Sequence, residues 1–258
     1  MKSAKTTLPS RALAILGLAL VASCSSPSLQ VPTRTADEYT GLVATAIHGV
    51  SPDVAFVVGN LVRTDGVPEG LILGTETRGR TWRRMATEVH DLARVNFQTV
   101  FFGDRLRGWV GGVRVDAVGN TKAVVFRTQD GGNHWREAAL LGDEGLLVSA
   151  VHSLRFTSDS EGTITVMVIA DTGERSETTY ITQDAGRSWS VNQYRASVAL
   201  RATDESTSMV DESHGFRVRP GDLPGVTVLH GTASGGRDWM PICDLTVRNL
   251  DTYFGQGR

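Results

Sequence analysis

The chain has 258 residues, with 26 Lys and Arg against 28 Asp and Glu, a net charge of −2 and 40% hydrophobic residues. That length suffices for one large core, and the charge balance, with no basic tail or patch, argues against a nucleic-acid partner.

Residues 1–23 read as a lipoprotein signal peptide. Lys2, Lys5 and Arg11 make a positive start, and Ala12 to Ala22 is an apolar run of signal length, too short for a comfortable membrane span. The run ends in Val21-Ala22-Ser23-Cys24, which resembles the bacterial lipobox. The resemblance implies cleavage before Cys24, lipid attachment at Cys24 and, with Ser25 following, sorting to the outer membrane. The expected location is the bacterial cell envelope, with the folded part facing the periplasm or the cell surface. Loss of the three cations leaves a mature net charge of about −5. Residues 24–38 are rich in Ser, Pro and Thr without an apolar period, and read as a flexible tether. With Cys24 acylated, Cys243 has no disulfide partner; its apolar surroundings predict a buried small hydrophobe.

The folded unit, 39–258, is organised by a repeated octad. Thr128-Gln129-Asp130-Gly131-Gly132-Asn133-His134-Trp135 and Thr182-Gln183-Asp184-Ala185-Gly186-Arg187-Ser188-Trp189 are close copies. Thr75 to Trp82, with Gly79, carries Thr77 at the third place; Thr232 to Trp239, with Gly236, carries Ser234 there. The four tryptophans are spaced by 53, 54 and 50 residues, the mark of one repeated unit.

Each octad lies between β-rich runs and reads as strand, tight turn, strand. The third-place Asp, or Thr77 and Ser234 more weakly, accepts turn amides. The fifth-place Gly takes positive φ, and the Trp anchors packing. In chain order the predicted strands are Leu42–His48, Val54–Gly59, Leu71–Thr75 and Thr81–Met85; then Val95–Phe102, Gly108–Arg114, Lys122–Thr128 and His134–Leu140. Leu147–Phe156, Thr163–Ala170, Thr178–Thr182 and Ser188–Gln193 form the third unit. Arg195–Ala202, a broken strand around Thr207–Val218, Thr227–Thr232 and Asp238–Cys243 form the fourth. Ala86–Arg94 is read as room for one helical turn, and Asp244–Arg258 as an edge strand or a closing segment. The expected fold is all-β: a small β-propeller of four blades with four antiparallel strands each, or five blades with one degenerate.

The octad resembles the Asp-box, or BNR repeat, which family members carry on the turn between the third and fourth strands of a propeller blade. The resemblance covers about Leu42 to Leu250 and implies fold, since sialidases, other glycosidases, receptors and assembly factors share it. Gly108-Trp109-Val110-Gly111-Gly112, echoed by Val57-Val58-Gly59, is similar to repeats of the non-enzymatic photosystem II assembly-factor type. That likeness implies a binding or assembly role for a protein or glycan partner. A small glycan-active hydrolase is the alternative.

Chemistry is sparse. The early Phe-Arg-Ile-Pro-like motif of sialidases is absent, as is a Gly-x-Ser-x-Gly elbow. His48, His90, His134, His152, His214 and His230 show no metal-ligand spacing, so no metal and no cofactor is expected. Asp116, Asp171, Glu174 and Asp211 read as solvated turn acids. A pair of acids converging in the central funnel would mark the hydrolase. Partner contacts are placed on the face opposite the octads, on loops 63–69, 114–120, 171–177 and 211–222, with Arg63, Arg114, Arg175 and Arg217 as candidates.

Overall fold

The computed structural model describes residues 38–85, 92–141, 147–170, 172–196 and 206–247. Among the described residues, sixteen strands form four antiparallel four-stranded sheets, the blades of a four-bladed β-propeller. Blade 1 holds β1 (Tyr39–Gly49), β2 (Ala55–Arg63), β3 (Pro68–Thr75) and β4 (Arg83–Arg84). Blade 2 holds β5 (Val95–Phe102), β6 (Gly108–Val115), β7 (Thr121–Thr128) and β8 (Arg136–Leu141). Blade 3 holds β9 (Leu147–Phe156), β10 (Gly162–Ile169), β11 (Arg175–Thr182) and β12 (Ser188–Ala196). Blade 4 holds β13 (Thr207–Met209), β14 (Gly215–Pro220), β15 (Thr227–Thr232) and β16 (Met240–Leu245). The outer strands β8 and β12 also pair in parallel, Ser188 to Ala139 through Ser190 to Leu141, so blades 2 and 3 share one eight-stranded sheet.

The octads close the third-to-fourth-strand hairpins, as the repeat predicts. In all four, the fourth-place amide donates to a carbonyl of the first-to-second-strand turn of the same blade. Arg78 reaches Asp53, Gly131 reaches Leu106, Ala185 reaches Ser160 and Gly235 reaches Ser213, at 2.8–3.0 Å. Both sets of turns therefore share one face of each blade.

Packing between blades makes the core. Blade 1 meets blade 2 through Phe56, Val58 and Ile72 against Phe97, Phe102 and Trp135. Blade 2 meets blade 3 through Trp109, Val113 and Val125 against Ile164, Tyr180 and Trp189. Blade 4 meets blade 1 through Phe216, Val218 and Leu229 against Leu61, Leu71 and Trp82. Burying each such side chain contributes about 1.5–3 kcal/mol. Among the described residues, no buried apolar cluster joins blades 3 and 4.

The innermost strands carry a recurring irregularity. Register shifts fall between Ala44 and Ala46, between Phe97 and Thr99, and opposite Thr165–Val166, at His152. Thr45, Gln98 and His152 are thus bulged at the repeat spacing. Thr45 Oγ1 donates to the Phe97 carbonyl at 2.7 Å, and Gln98 Oε1 accepts from the Val151 amide at 2.7 Å. The bulges at Thr45 and Gln98 so tie their blades to the next. The glycines of the Val57-Val58-Gly59 and Gly111-Gly112 motifs are explained here. A methyl at Gly59 or Gly112 would run into the carbonyl of Val43 or Asn96 on the bulged strand.

Four expectations change. The first strand of blade 4 is β13, not Arg195–Ala202: Arg195 and Ala196 belong to β12, and 197–202 lie outside the described residues. The stretch 211–222 is not one loop, since β14 occupies its middle. Leu92 to Arg94 are not helical; Ala93 bridges Glu69, and 86–91 lie outside the described residues. β16 takes in Asp244 and Leu245, whereas 248–258 lie outside the described residues. The predicted signal peptide, 1–23, and the predicted tether, 24–38, also lie outside them, apart from Glu38.

Candidate functional site

Within each octad the first-place threonine is the hub. Thr182 Oγ1 accepts from the amides of Asp184 (3.3 Å) and Gly186 (2.9 Å) and donates to Asp184 Oδ1 at 2.8 Å. Thr75, Thr128 and Thr232 accept from the equivalent third- and fifth-place amides at 3.0–3.3 Å. All four hydroxyls sit on buried threonines. The third-place side chain then accepts from the seventh-place amide: Thr77 from Thr81, Asp130 from His134, Asp184 from Ser188 and Ser234 from Asp238, at 2.9–3.0 Å. A hydroxyl thus replaces the carboxylate where the sequence lacks Asp.

Asp184 adds bonds from the Arg187 amide and the Ser188 hydroxyl. Burial opposes its ionisation, yet the Ser188 amide and hydroxyl, the Thr182 hydroxyl and the Arg187 amide outweigh that and hold its carboxyl at about 2. Fourth- and fifth-place residues both have positive φ, including Arg78 at 61° and Ala185 at 60°. In each octad the first- and third-place side chains are committed to the turn.

The four arginines picked from the sequence do not converge. Arg63 pairs with Asp65 in its own hairpin at 3.0 Å. Arg114 makes a two-pronged bond to Glu137, 2.9 Å on each arm. Arg175 is exposed at the start of β11. Arg217 is not a loop residue. It lies mid-strand in β14, half-buried, with its guanidinium 4.4 Å from the centroid of the Trp239 ring.

Arg217 leads to a site that the loops did not suggest. Strand register sets it opposite His230. In the other blades the same pair of positions is Val57–Leu73, Val110–Phe126 and Ile164–Tyr180. Those three pairs are buried on the rear face of their blade, against the preceding one. In blade 4 the preceding neighbour is blade 3, and the pair is an arginine and a histidine. Burial, reinforced by the charges of Arg217 and Arg219, lowers the His230 pKa.

The facing wall of blade 3 changes in the same sense. Where blades 1 and 2 direct Phe56 and Trp109 forward, blade 3 has exposed Thr163. Ile72 and Val125 are matched by half-buried Thr179. His48 and Phe101 are matched by exposed Arg155. Ile181 and Ser190 complete the wall, and shallow hollows of about 160 and 230 Å³ lie beside Thr182 and Gln183.

The box tryptophans report the consequence. Trp82, Trp135 and Trp189 are 5%, 6% and 1% exposed, whereas Trp239 is only half-buried. A methyl at Gly79, Gly132 or Gly186 would strike a side chain of the preceding blade. At Gly236 its near contacts would be with its own Trp239. Among the described residues, the walls of blades 3 and 4 that replace the apolar pairs of the other seams are therefore mainly polar. Alignment of the sequence at the octad spacing carries this signal, as a change from Phe, Ile and Val to Thr, Arg and His.

Elsewhere several turn aspartates are committed to local bonds. Asp53, Asp65, Asp104, Asp116, Asp130 and Asp211 all have carboxyls held below the usual range. At Asp53 the Arg78 guanidinium does this, at Asp65 the Val67 amide, and at Asp211 the His214 and Ser213 amides. At Asp104, Asp116 and Asp130 burial works the other way, but bonds from Arg107 and Leu106, from Asn120 and from His134 prevail. Asp171 lies outside the described residues. Among the described residues, no group of three His, Cys, Asp or Glu could hold a metal ion. Cys243 is half-buried rather than fully buried. Its thiol donates to the Gly79 carbonyl at 3.4 Å, and burial raises its pKa.

No protein-family model matches the chain, and no curated protein matches it. Solved structures give distant likenesses. A Dyadobacter fermentans protein of unknown function aligns at TM-score 0.45 and 11% identity, over 78% of this chain and 62% of that one. A family 117 glycoside hydrolase of Zobellia galactanivorans aligns at 0.41 and 8%, over 81% and 72%. An endo-arabinase of Bacteroides thetaiotaomicron aligns at 0.41 and 10%, over 78% and 72%. This chain thus spans less than two thirds of the Dyadobacter protein. Likenesses of this size say nothing of ligand or reaction, and the four-blade assignment rests on the strands, octads and seams described above.

Proposed function

We propose that the chain is a lipid-anchored, non-catalytic binding propeller of the bacterial cell envelope, acting as a scaffold for a protein or glycan. The observation that carries this reading is the polar seam between blades 3 and 4. Hydrophobic packing would make a fourth apolar seam the cheapest way to hold the blades together. Replacing it with Thr163, Thr179, Arg217 and His230 gives up that stabilisation, and a ligand-facing wall accounts for the exchange. Arginine beside a half-exposed indole suits recognition, since both residues recur among binding hot spots.

The hydrolase alternative asks for two facing carboxyls, one with a raised pKa. Asp53, Asp65, Asp104, Asp116, Asp130, Asp184 and Asp211 instead have carboxyls held low by neighbouring amides, hydroxyls and arginines. Val21-Ala22-Ser23-Cys24 supports the lipid anchor, and placing the seam in an aqueous compartment outside the cytoplasm follows from it.

Capture from solubilised native membranes tests the reading, with the lipidated chain as bait beside Arg217→Glu and Thr179→Val variants. A specific protein or glycan should be retained by the parent chain and lost from the Arg217→Glu variant, with the fold kept by circular dichroism. Equal retention by all three would remove the seam as the site. Turnover of a captured glycan would replace the scaffold with the hydrolase.

A further inference from the structure

We infer that the face opposite the octads docks on the lipid surface to which the chain is anchored. The inference rests on the lipid-anchor reading above. The chain enters blade 1 at Glu38 and Tyr39, at the start of β1. β1 runs from that face to the octad face, where the turn after Gly49 meets the first octad. The tether thus joins the propeller on the side away from the staples. Residues 25–37 are read from composition as a tether, and a flexible chain of that length has a mean span of roughly 20 Å, so on that reading the anchored propeller presents this face to the bilayer before any other.

What stands on that face fits an interface. The hairpin between β6 and β7 ends in Val118, 83% exposed, beside exposed Ala117. The hairpin between β14 and β15 ends in Leu223, 68% exposed, beside exposed Pro224. Leu147, where β9 begins, is 40% exposed. Blades 2 and 4 are separated by one blade on either side, so the two tips lie across the ring from each other.

Arg94, Lys122, Arg175 and Arg219 are exposed at strand ends on the same side, and they suit phosphate headgroups. Glu38, Asp65, Asp116, Glu174 and Asp222 also lie there. Among the described residues of that face charge nearly balances, and the apolar tips carry the contact. Two side chains alone would bind a bilayer weakly. Attachment through Cys24 makes the second contact intramolecular, where a weak affinity suffices.

The test uses the lipidated chain in phosphatidylethanolamine–phosphatidylglycerol vesicles, in a Cys243→Ser background. Single Val118→Cys, Leu223→Cys and Leu106→Cys variants carry an environment-sensitive fluorophore; Leu106 is an exposed apolar residue on the octad face. Docking predicts blue-shifted emission, quenched by lipid-borne quenchers, at both tips and water-like emission at Leu106. Water-like emission at all three, with lipid found on the Cys24 peptide by mass spectrometry, overturns the docking and leaves the anchor standing. A shift in native membranes but not in pure lipid also overturns it, by assigning the tips to a protein. Absence of lipid on Cys24 removes the anchor and this inference with it.

Discussion

The hydroxyl of buried Thr182 accepts two backbone amides, those of half-buried Asp184 and buried Gly186. Leaving a buried donor unsatisfied costs about 1–3 kcal/mol. Thr182→Val should therefore lower stability by about 2–4 kcal/mol in a denaturant melt, on the same reasoning for two donors. Thr182→Ser, which keeps the acceptor, should cost much less. A similar loss for both would mean that the methyl, not the hydroxyl, holds the turn.

His48 makes a second prediction at this scale. It is half-buried against blade 2, and its Nε2 donates to the Phe102 carbonyl at 3.0 Å. Burial, with a smaller push from Arg155, lowers its pKa to about 4, against the bond to Phe102 that raises it. A depressed histidine binds its proton more readily in the unfolded chain. Its contribution to stability is complete above about 6.5 and is lost as pH falls through the window to about 4. His48→Gln should flatten the pH dependence of the melting midpoint across that window. An unchanged slope would show that His48 is already protonated in the fold.

The elements divide into those written locally and those that depend on a neighbour. The octad hairpins and the four-blade count were legible because Thr, Asp or its hydroxyl substitutes, Gly and Trp recur at fixed spacing. The hub role of the first-place threonine was not, since several octad side chains can serve a turn and geometry alone ranks them. The first strand of blade 4 was misread because Arg195 to Ala202 alternates like a strand, whereas β12 extends through Gln193 and Tyr194 to Ala196. The polar seam was legible only by comparing blades position by position. A single Arg217 or Thr179 looks like any half-exposed strand residue.

That comparison predicts unequal tryptophans. Trp189→Ala should cost about 3–5 kcal/mol, as for other buried aromatics. Trp239→Ala, at the half-buried position, should cost well under half of that by the same denaturant melt. Equal costs would mean that Trp239 is covered in solution and that the seam is closed.

At the scale of the whole molecule, the three apolar seams among the described residues form a chain rather than a closed circle. Blade 4 leans on blade 1, blade 1 on blade 2, and blade 2 on blade 3, where β8 and β12 add a direct strand pairing. Stability in such an array is set mainly between nearest neighbours. A defect in the seam of blades 4 and 1 should therefore loosen those two blades and leave blade 3 alone. Phe216 is 3% exposed in that seam, beside Val218 and Leu229. Phe216→Ala should cost about 3–5 kcal/mol locally. Amide hydrogen exchange then supplies the readout. Peptides covering β14, β15 and β1 should lose protection, with those covering β10 and β11 unchanged. Loss of protection in β10 and β11 to the same degree as in β14 would show that blades 3 and 4 are coupled directly. The polar seam would then be a structural contact rather than an opening for a partner.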